Sequence, residues 1–363
     1  MLPEWVQTLV PMVVKITVIL AIAPVCMMYM TWLERKVIAR IQDRVGPNRV
    51  GPFGLFQPMA DGIKMLTKED IVPAGADRLC HFIAPIIIVV PALYLFTVLP
   101  LARTIVAAPL TTGLLFFVAV SSVEALALFA AGWGSRNKFA FLGSLRNAAQ
   151  VVSYEIPVLL ALAAVPMMTG SLNLVEIVQS QYHFNWFIFT PWGFVSFGVV
   201  LLGGLAEVNR TPFDMAEAES ELVGGFHTEY SGMKFAMFYM AEFLSTLALG
   251  TLLSALFLGG WHGAGVLPGW LWMAMKTFSM VFVMIWIRGT WPRFRIDQLM
   301  GLAWKVLIPM SLANIFAAAL CFFVPNLLGS TIAAVLLAGV FLGTTQLWLA
   351  PLPKPSSCSL PKR

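Results

Sequence analysis

Nine apolar runs of roughly 20 residues, each almost free of charge, constrain this chain more than any other feature. They lie near 9–33, 81–102, 109–133, 152–171, 187–206, 236–258, 269–288, 302–323 and 327–350. A helix rising 1.5 Å per residue needs about 20 residues to cross ~30 Å of hydrocarbon. No water reaches that depth to satisfy backbone N–H and C=O groups, so each run should be helical even where Pro24, Pro91, Pro157 and Pro309 interrupt it. Across the chain 59% of residues are hydrophobic and 11% charged, against about 25% charged in an ordinary soluble domain. The expected fold is an all-α polytopic membrane protein with about nine transmembrane helices.

The first run is expected to remain in the mature protein, because Lys15 lies inside it and no small-residue cleavage site follows. Lys and Arg then set the orientation, since short loops rich in them stay cytoplasmic. With the N-terminus outside, all but three of the 23 basic residues fall on the inner side; the exceptions are Lys15, Arg103 and Lys276. Nine crossings would put the tail "PLPKPSSCSLPKR" in the cytoplasm. The first inner loop contains "RVGPNRVGPFGLFQPMADGIKML" (44–66), in which two Gly-Pro turns precede an amphipathic pattern. Leu55, Met59, Ile63 and Leu66 share one helical face while Asp61, Lys64 and Lys68 lie elsewhere, as in a helix resting on a membrane surface. The arginines of this loop could equally be topology anchors alone.

Ionisable groups at membrane depth cost about 2.5–3.5 kcal/mol each on insertion scales, so each one raises a functional question. Glu124, Glu155, Glu207, Glu242 and Lys276 fall in or at the ends of the third to seventh runs. Two readings stay open for them: snorkelling or pairing at an interface, and participation in proton transfer. The loop "AEVNRTPFDMAEAESELVGGFHTEY" holds Glu207, Asp214, Glu217, Glu219, Glu221 and Glu229 against Arg210 alone. A solvated acidic loop is the plain reading, yet Phe213, Met215, Leu222, Val223 and Phe226 are interleaved. On a helix Asp214, Glu217 and Glu221 would share a face, and crowded carboxylates titrate as a coupled set. Cys26, Cys80, Cys321 and Cys358 are scattered singly, no phosphate-binding glycine fingerprint follows a strand, and His81, His183, His227 and His262 lie in loops or at helix ends. No metal site and no redox centre is expected in the chain itself, and nothing points to nucleic acid.

Four stretches carry a resemblance: "ERKVIARIQDRVGPNRVGPFGLFQPMADGIKMLTKED" (34–70), "GWGSRNKFAFLGSLRNAAQVVSYEI" (132–156), "EVNRTPFDMAEAESELVGGFHTEYSGMKF" (207–235) and "IRGTWPRFRIDQLMGLAWKVLIPMSL" (287–312). They resemble the H subunit of bacterial respiratory complex I, called subunit 1 in mitochondria, over about residues 5 to 323. The resemblance implies a membrane-arm component of a proton-pumping NADH:quinone oxidoreductase in the bacterial inner membrane, at the joint with the peripheral arm. Quinone would be its substrate, with FMN and iron–sulfur clusters on partner subunits, and membrane lipid around it. Matched residue by residue, Glu34, Arg35, Asp61, Phe226, Arg293 and Arg295 would line or support the quinone chamber. Arg35, Arg44 and Arg49 would face the docking floor of the peripheral arm. Glu155, Glu207, Asp214, Glu217, Glu219, Glu221 and Glu242 would form the acidic path toward the pump subunits. Glu124 has no clear counterpart in the family pattern. The family core has eight helices, so residues 1–323 would be that core and 324–363 an added helix and tail.

Two other readings are weighed. The homologous membrane component of a membrane-bound hydrogenase or formate hydrogenlyase shares the fold, but the full run of acids with "GGFHTEYSG" fits the quinone enzyme better. A secondary transporter would show inverted repeats with paired broken helices; the polar loops here differ in length and content.

Overall fold

The computed structural model describes residues 4–103, 105–182, 185–216, 219–263, 267–324 and 327–349, with the side chains of 4–12, 219, 220, 327 and 349 outside that description. The helices run α1 (Glu4–Ile41), α2 (Gln57–Thr67), α3 (Arg78–Val98), α4 (Gly113–Gly134), α5 (Lys138–Thr169), α6 (Leu174–Ser180) and α7 (Pro191–Glu207), then α8 (Glu219–Leu222), α9 (Gly232–Phe257), α10 (Gly269–Thr290), α11 (Ile296–Leu302), α12 (Ile308–Phe323) and α13 (Leu327–Leu349). A five-residue π turn, Ala303–Leu307, joins α11 to α12. Among the described residues there is no strand. The fold is an all-α polytopic membrane protein.

Among the described residues eight helices are long and apolar enough to cross a bilayer. The run expected near 187–206 gives the shorter α7, whose 17 residues extend only about 25 Å. Its start is displaced because Phe187–Phe189 form a 3₁₀ turn, after which Thr190 caps the helix through Gly193 N–H at 3.2 Å with Pro191 in the first turn. Other helices outrun their apolar stretches. Helix α1 continues through Glu34, Arg35, Lys36 and Arg40 to Ile41. Helix α5 begins at Lys138, where the Asn137 side chain accepts from Phe139 N–H at 3.0 Å, and ends at Gly170 in the left-handed conformation. Hydropathy reports where hydrocarbon ends, whereas capping decides where the helix ends.

Helix α9 forms the axis, with 89% of its apolar stretch buried, and it packs against α1, α3, α7 and α10. Around it, Tyr154, Val158, Trp192, Leu249, Leu252 and Phe257 belong to one continuous core. Small residues allow the close approaches: a Cβ built on Gly203 would stand 2.2 Å from Val158 Cγ2, and one on Gly204 2.5 Å from Leu249 Cδ1. Helix α2 lies across α1 and α9. Its Met59, Ile63 and Leu66 remain exposed in a row, as an amphipathic helix on a lipid surface requires.

Gly203→Leu should wedge α5 from α7 and lower the thermal midpoint of the assembled protein, an overpacking cost of about 1–3 kcal/mol. Adding Val158→Ala should recover most of the loss, whereas Gly198→Leu, whose Cβ meets no atom within 4 Å, should leave the midpoint near that of the parent.

Candidate functional site

Where α1, α9 and α10 approach the basic end of the bundle, four charged side chains meet. Glu34 is 8% exposed and Arg210 4% exposed. Arg210 Nη1 donates to Glu34 Oε2 at 2.6 Å, its Nε lies 2.7 Å from Glu242 Oε1, and its guanidinium stacks over the Phe243 ring at 4.1 Å. Arg288 donates to the other Glu34 oxygen. One loop arginine therefore ties α1 to α9, and α10 completes the charge balance. Removing one partner of such a buried group typically costs about 3–5 kcal/mol, because the other charge is left uncompensated.

From Glu242 the carboxylates continue inward. A cavity of about 30 Å³ is lined by Glu242, Glu207 and Glu124 together with Asn209, Phe226 and Phe238. A neighbouring cavity of about 20 Å³ again has Glu207 and Glu124 in its wall, with Ser121, Val151 and Ser245. Each has room for one or two waters, and polar groups are there to hold them. Ser245 of α9 donates to Glu124 of α4, and Ser122 of α4 donates to Glu155 of α5. The four acids come from four different helices: α4 and α7 both pack against α5, and the small residues of α7 let α5 and α9 close around it. Glu124, which the family pattern does not place, lines both cavities.

The other residues singled out from the sequence spread over the basic face. Glu34 and Arg35 are adjacent in sequence but point apart: Arg35 donates to Asp61 of α2 at 2.6 Å, and Lys64 lies 3.8 Å from the same carboxylate. Asp214 pairs with Arg293 at 2.7 Å and Glu221 with Arg146 at 2.5 Å. Asp214 and Glu221 do not share a helix, because Pro212 and a stretch without helix keep Asp214 outside the four-residue α8. Glu217 and the side chain of Glu219 lie outside the described residues. Phe226 is buried against Phe238, with ring centroids 5.3 Å apart, and faces the acid cavity. Arg295 stands exposed at the start of α11, where its backbone N–H donates to Gln298. Sequence reasoning missed Arg210 and Arg288 as members of the cluster; the signal was available in Arg210, the lone cation among six acids.

The loops are held by polar clamps. Ser231 donates to Glu69 O at 3.0 Å and accepts from Ile71 N–H at 2.9 Å, and Lys234 pairs with Asp70 at 2.7 Å. The His81 ring stacks on Tyr230 at 4.1 Å. These contacts fix the first basic loop to the acidic one. Among the described residues no group of three or more His, Cys, Asp or Glu side chains is placed to hold a metal ion.

Fold and site together define an all-α polytopic membrane protein with an arginine-bridged acid cluster leading from its basic face into its core. Residues 14–319 match the family described as NADH dehydrogenase. The chain is 44% identical over 321 residues to the NADH-quinone oxidoreductase H subunit 2 of Syntrophobacter fumaroxidans, covering 86% of this chain and 96% of that one. It is 46% identical over 315 residues to the H subunit of Dehalococcoides mccartyi, covering 87% of each, and 48% identical over 306 residues to the H subunit of Geobacillus kaustophilus, covering 83% of this chain and 91% of that one. The chain belongs to the family of NADH-quinone oxidoreductase H subunits.

Burial among Phe226 and Phe235 lowers the His227 imidazole to about 4, with the nearby Asp214 carboxylate offsetting part of that shift. The ring is therefore neutral in the fold at pH 7, while an unfolded histidine takes up a proton below about 6.5. Stability from this group is fully present above that value and is lost as pH falls toward 4. His227→Gln should flatten the fall of the thermal midpoint between pH 6.5 and 4.5; an unchanged slope would show that other groups set it.

Proposed function

We propose that this chain, as the H subunit of a proton-translocating NADH:quinone oxidoreductase, forms much of the quinone chamber and carries the first part of the route that couples quinone reduction to proton movement. The supporting observation is the continuous series Glu34–Arg210–Glu242, then Glu207 and Glu124 around two water-sized cavities, then Glu155 beside Ser122. The relatives' names supply the reaction: electrons from NADH reach quinone. In this reading the FMN and iron–sulfur clusters reside on peripheral-arm subunits, which dock on the basic face of α2 and the acidic loop, and other membrane-arm subunits receive the charge signal. The chain sits in the bacterial inner membrane with its N-terminus outside, residues 1–323 as the family core and 324–363 as an addition.

Each group has a part. Arg35, Asp61, Arg293 and Arg295, with Glu34 behind them, order the chamber and its mouth; Phe226 forms the apolar wall between chamber and acids. Reduction of quinone to quinol takes up two electrons, delivered from the partner subunits, and two protons; when those protons are drawn from titratable groups around the chamber, the donors gain negative charge until they are reprotonated, and the field at Asp214 and Glu34 changes with turnover. Like-charge repulsion then alters the protonation of Glu242 and, through water, of Glu207, Glu124 and Glu155. Glu217, Glu219 and Glu221 extend this acid set on the loop.

Arg293→Ala breaks the 2.7 Å pair with Asp214 at the chamber edge. It should lower NADH:quinone activity about tenfold, the effect of ~1.4 kcal/mol on the barrier, while NADH oxidation by ferricyanide, which needs only the peripheral arm, stays near the parent rate. Equal loss of both in an assembled complex would refute a local role.

The acid series needs titrating groups. Glu207→Gln and Glu155→Gln should lower proton pumping and quinone turnover together in sealed vesicles read with a pH-sensitive dye, and Glu→Asp at each site should retain more of both. A Gln variant that turns over and pumps like the parent removes that position from the route.

A further inference from the structure

Three basic residues lie off the basic face, and the structure accounts for one of them at once. Lys276 donates to the carbonyls of Leu258, Gly260 and His262 at 2.6, 2.8 and 2.6 Å and lies 4.4 Å from the Trp186 ring, so it ties the end of α9 to the loop that follows. Of the remaining two, Lys15 lines a separate feature, and Arg103 lies in the sequence between two more of its lining residues, Leu101 and Ile105. Between α1, α3 and α9 lies an apolar pocket of about 300 Å³ lined by Ile19, Ile22, Cys26, Phe96, Leu244 and Lys15 among others. The Lys15 ammonium stands in its rim, donating to Ala107 O at 2.9 Å while its side chain stays exposed. Leu101 and Ile105 also line the pocket, and the backbone bond from Leu101 N–H to Ile105 O at 3.1 Å holds those two residues together, with the exposed Arg103 between them in the sequence.

We infer that this pocket binds an anionic glycerophospholipid, one acyl chain lying between α1, α3 and α9 and its phosphate held by Lys15 and Arg103. The dimensions fit one leaflet. Eleven residues of α1 separate Lys15 from Cys26, about 16 Å of helix, against a hydrocarbon half-thickness of ~15 Å. The charge fits as well: Lys15 stands at the rim of an otherwise apolar site, and a second exposed cation, Arg103, lies in the short segment between the lining residues Leu101 and Ile105, at the end of the bundle from which cations are nearly absent. Cations placed against the topological bias are otherwise unfavourable there, and a lipid phosphate supplies the counter-charge. This site is distinct from the acid series, since none of its lining residues belongs to that set.

The test uses the intact oxidoreductase complex in vesicles with phosphatidylglycerol or phosphatidylcholine spin-labelled on the acyl chain, reading the motionally restricted fraction of each. The parent should restrict phosphatidylglycerol preferentially. Lys15→Gln and Arg103→Gln should each cut that preference about fivefold, the effect of one surface cation on an anionic lipid, and Lys15→Arg should keep it. Ile22→Trp, which fills the pocket, should release restricted lipid of both kinds. A preference untouched by both Gln variants, or a restricted fraction untouched by Ile22→Trp, overturns the assignment. Displacement of the labelled lipid by a short-chain quinone at equimolar level would assign the pocket to quinone instead and overturn it equally.

Discussion

Arg210 is the interaction on which the rest of the interior depends. Its guanidinium satisfies Glu34 on one side and Glu242 on the other, inside a bundle where an uncompensated carboxylate would be costly. Because α1 and α9 supply those acids, the arginine of a connecting loop is what allows two membrane helices to carry charge at their contact. The planar fork suits the task better than lysine would, since it reaches two carboxylates while its face rests on Phe243. Arg288 on α10 brings a second cation to Glu34 and leaves the cluster nearly balanced.

Beyond Glu242 the carboxylates change from ion pairs to hydroxyl partners and small cavities. Glu124, Glu207 and Glu155 meet serine hydroxyls and water-sized cavities rather than arginines. The step from paired carboxylates to carboxylates beside hydroxyls and small cavities is the feature on which the proposed route rests. It depends on close helix packing, because the same cavities enlarged to bulk water would screen the repulsion that couples one acid to the next.

The basic face serves a different purpose. Its acids are mostly matched to surface cations, Asp61 to Arg35, Asp214 to Arg293 and Glu221 to Arg146, pairs that contribute little to stability individually but orient the loops. The Ser231, Lys234 and Asp70 contacts add a lock between the first and third long loops. A surface organised in this way is suited to receiving another protein without rearranging the acids beneath it.

Hydropathy alone determined that the chain is helical and spans a membrane many times, because desolvating unpaired backbone leaves no other option at that depth. The RVGP repeat, the apolar row of α2 and the membrane acids were equally legible, each being a local pattern. Only the tertiary structure decided which acids act as neighbours. Glu34 and Arg35 stand side by side in sequence yet face the core and α2 respectively, since successive residues of a helix lie about 100° apart. Asp214 and Glu221, grouped by an assumed helix, separate because Asp214 never enters one. Glu124, far in sequence from Glu207 and Glu242, joins them because α4 packs against α3 and α5 while α5 and α9 close on the small residues of α7, and contacts between helices depend on the shape of both partners, which no single stretch of sequence contains.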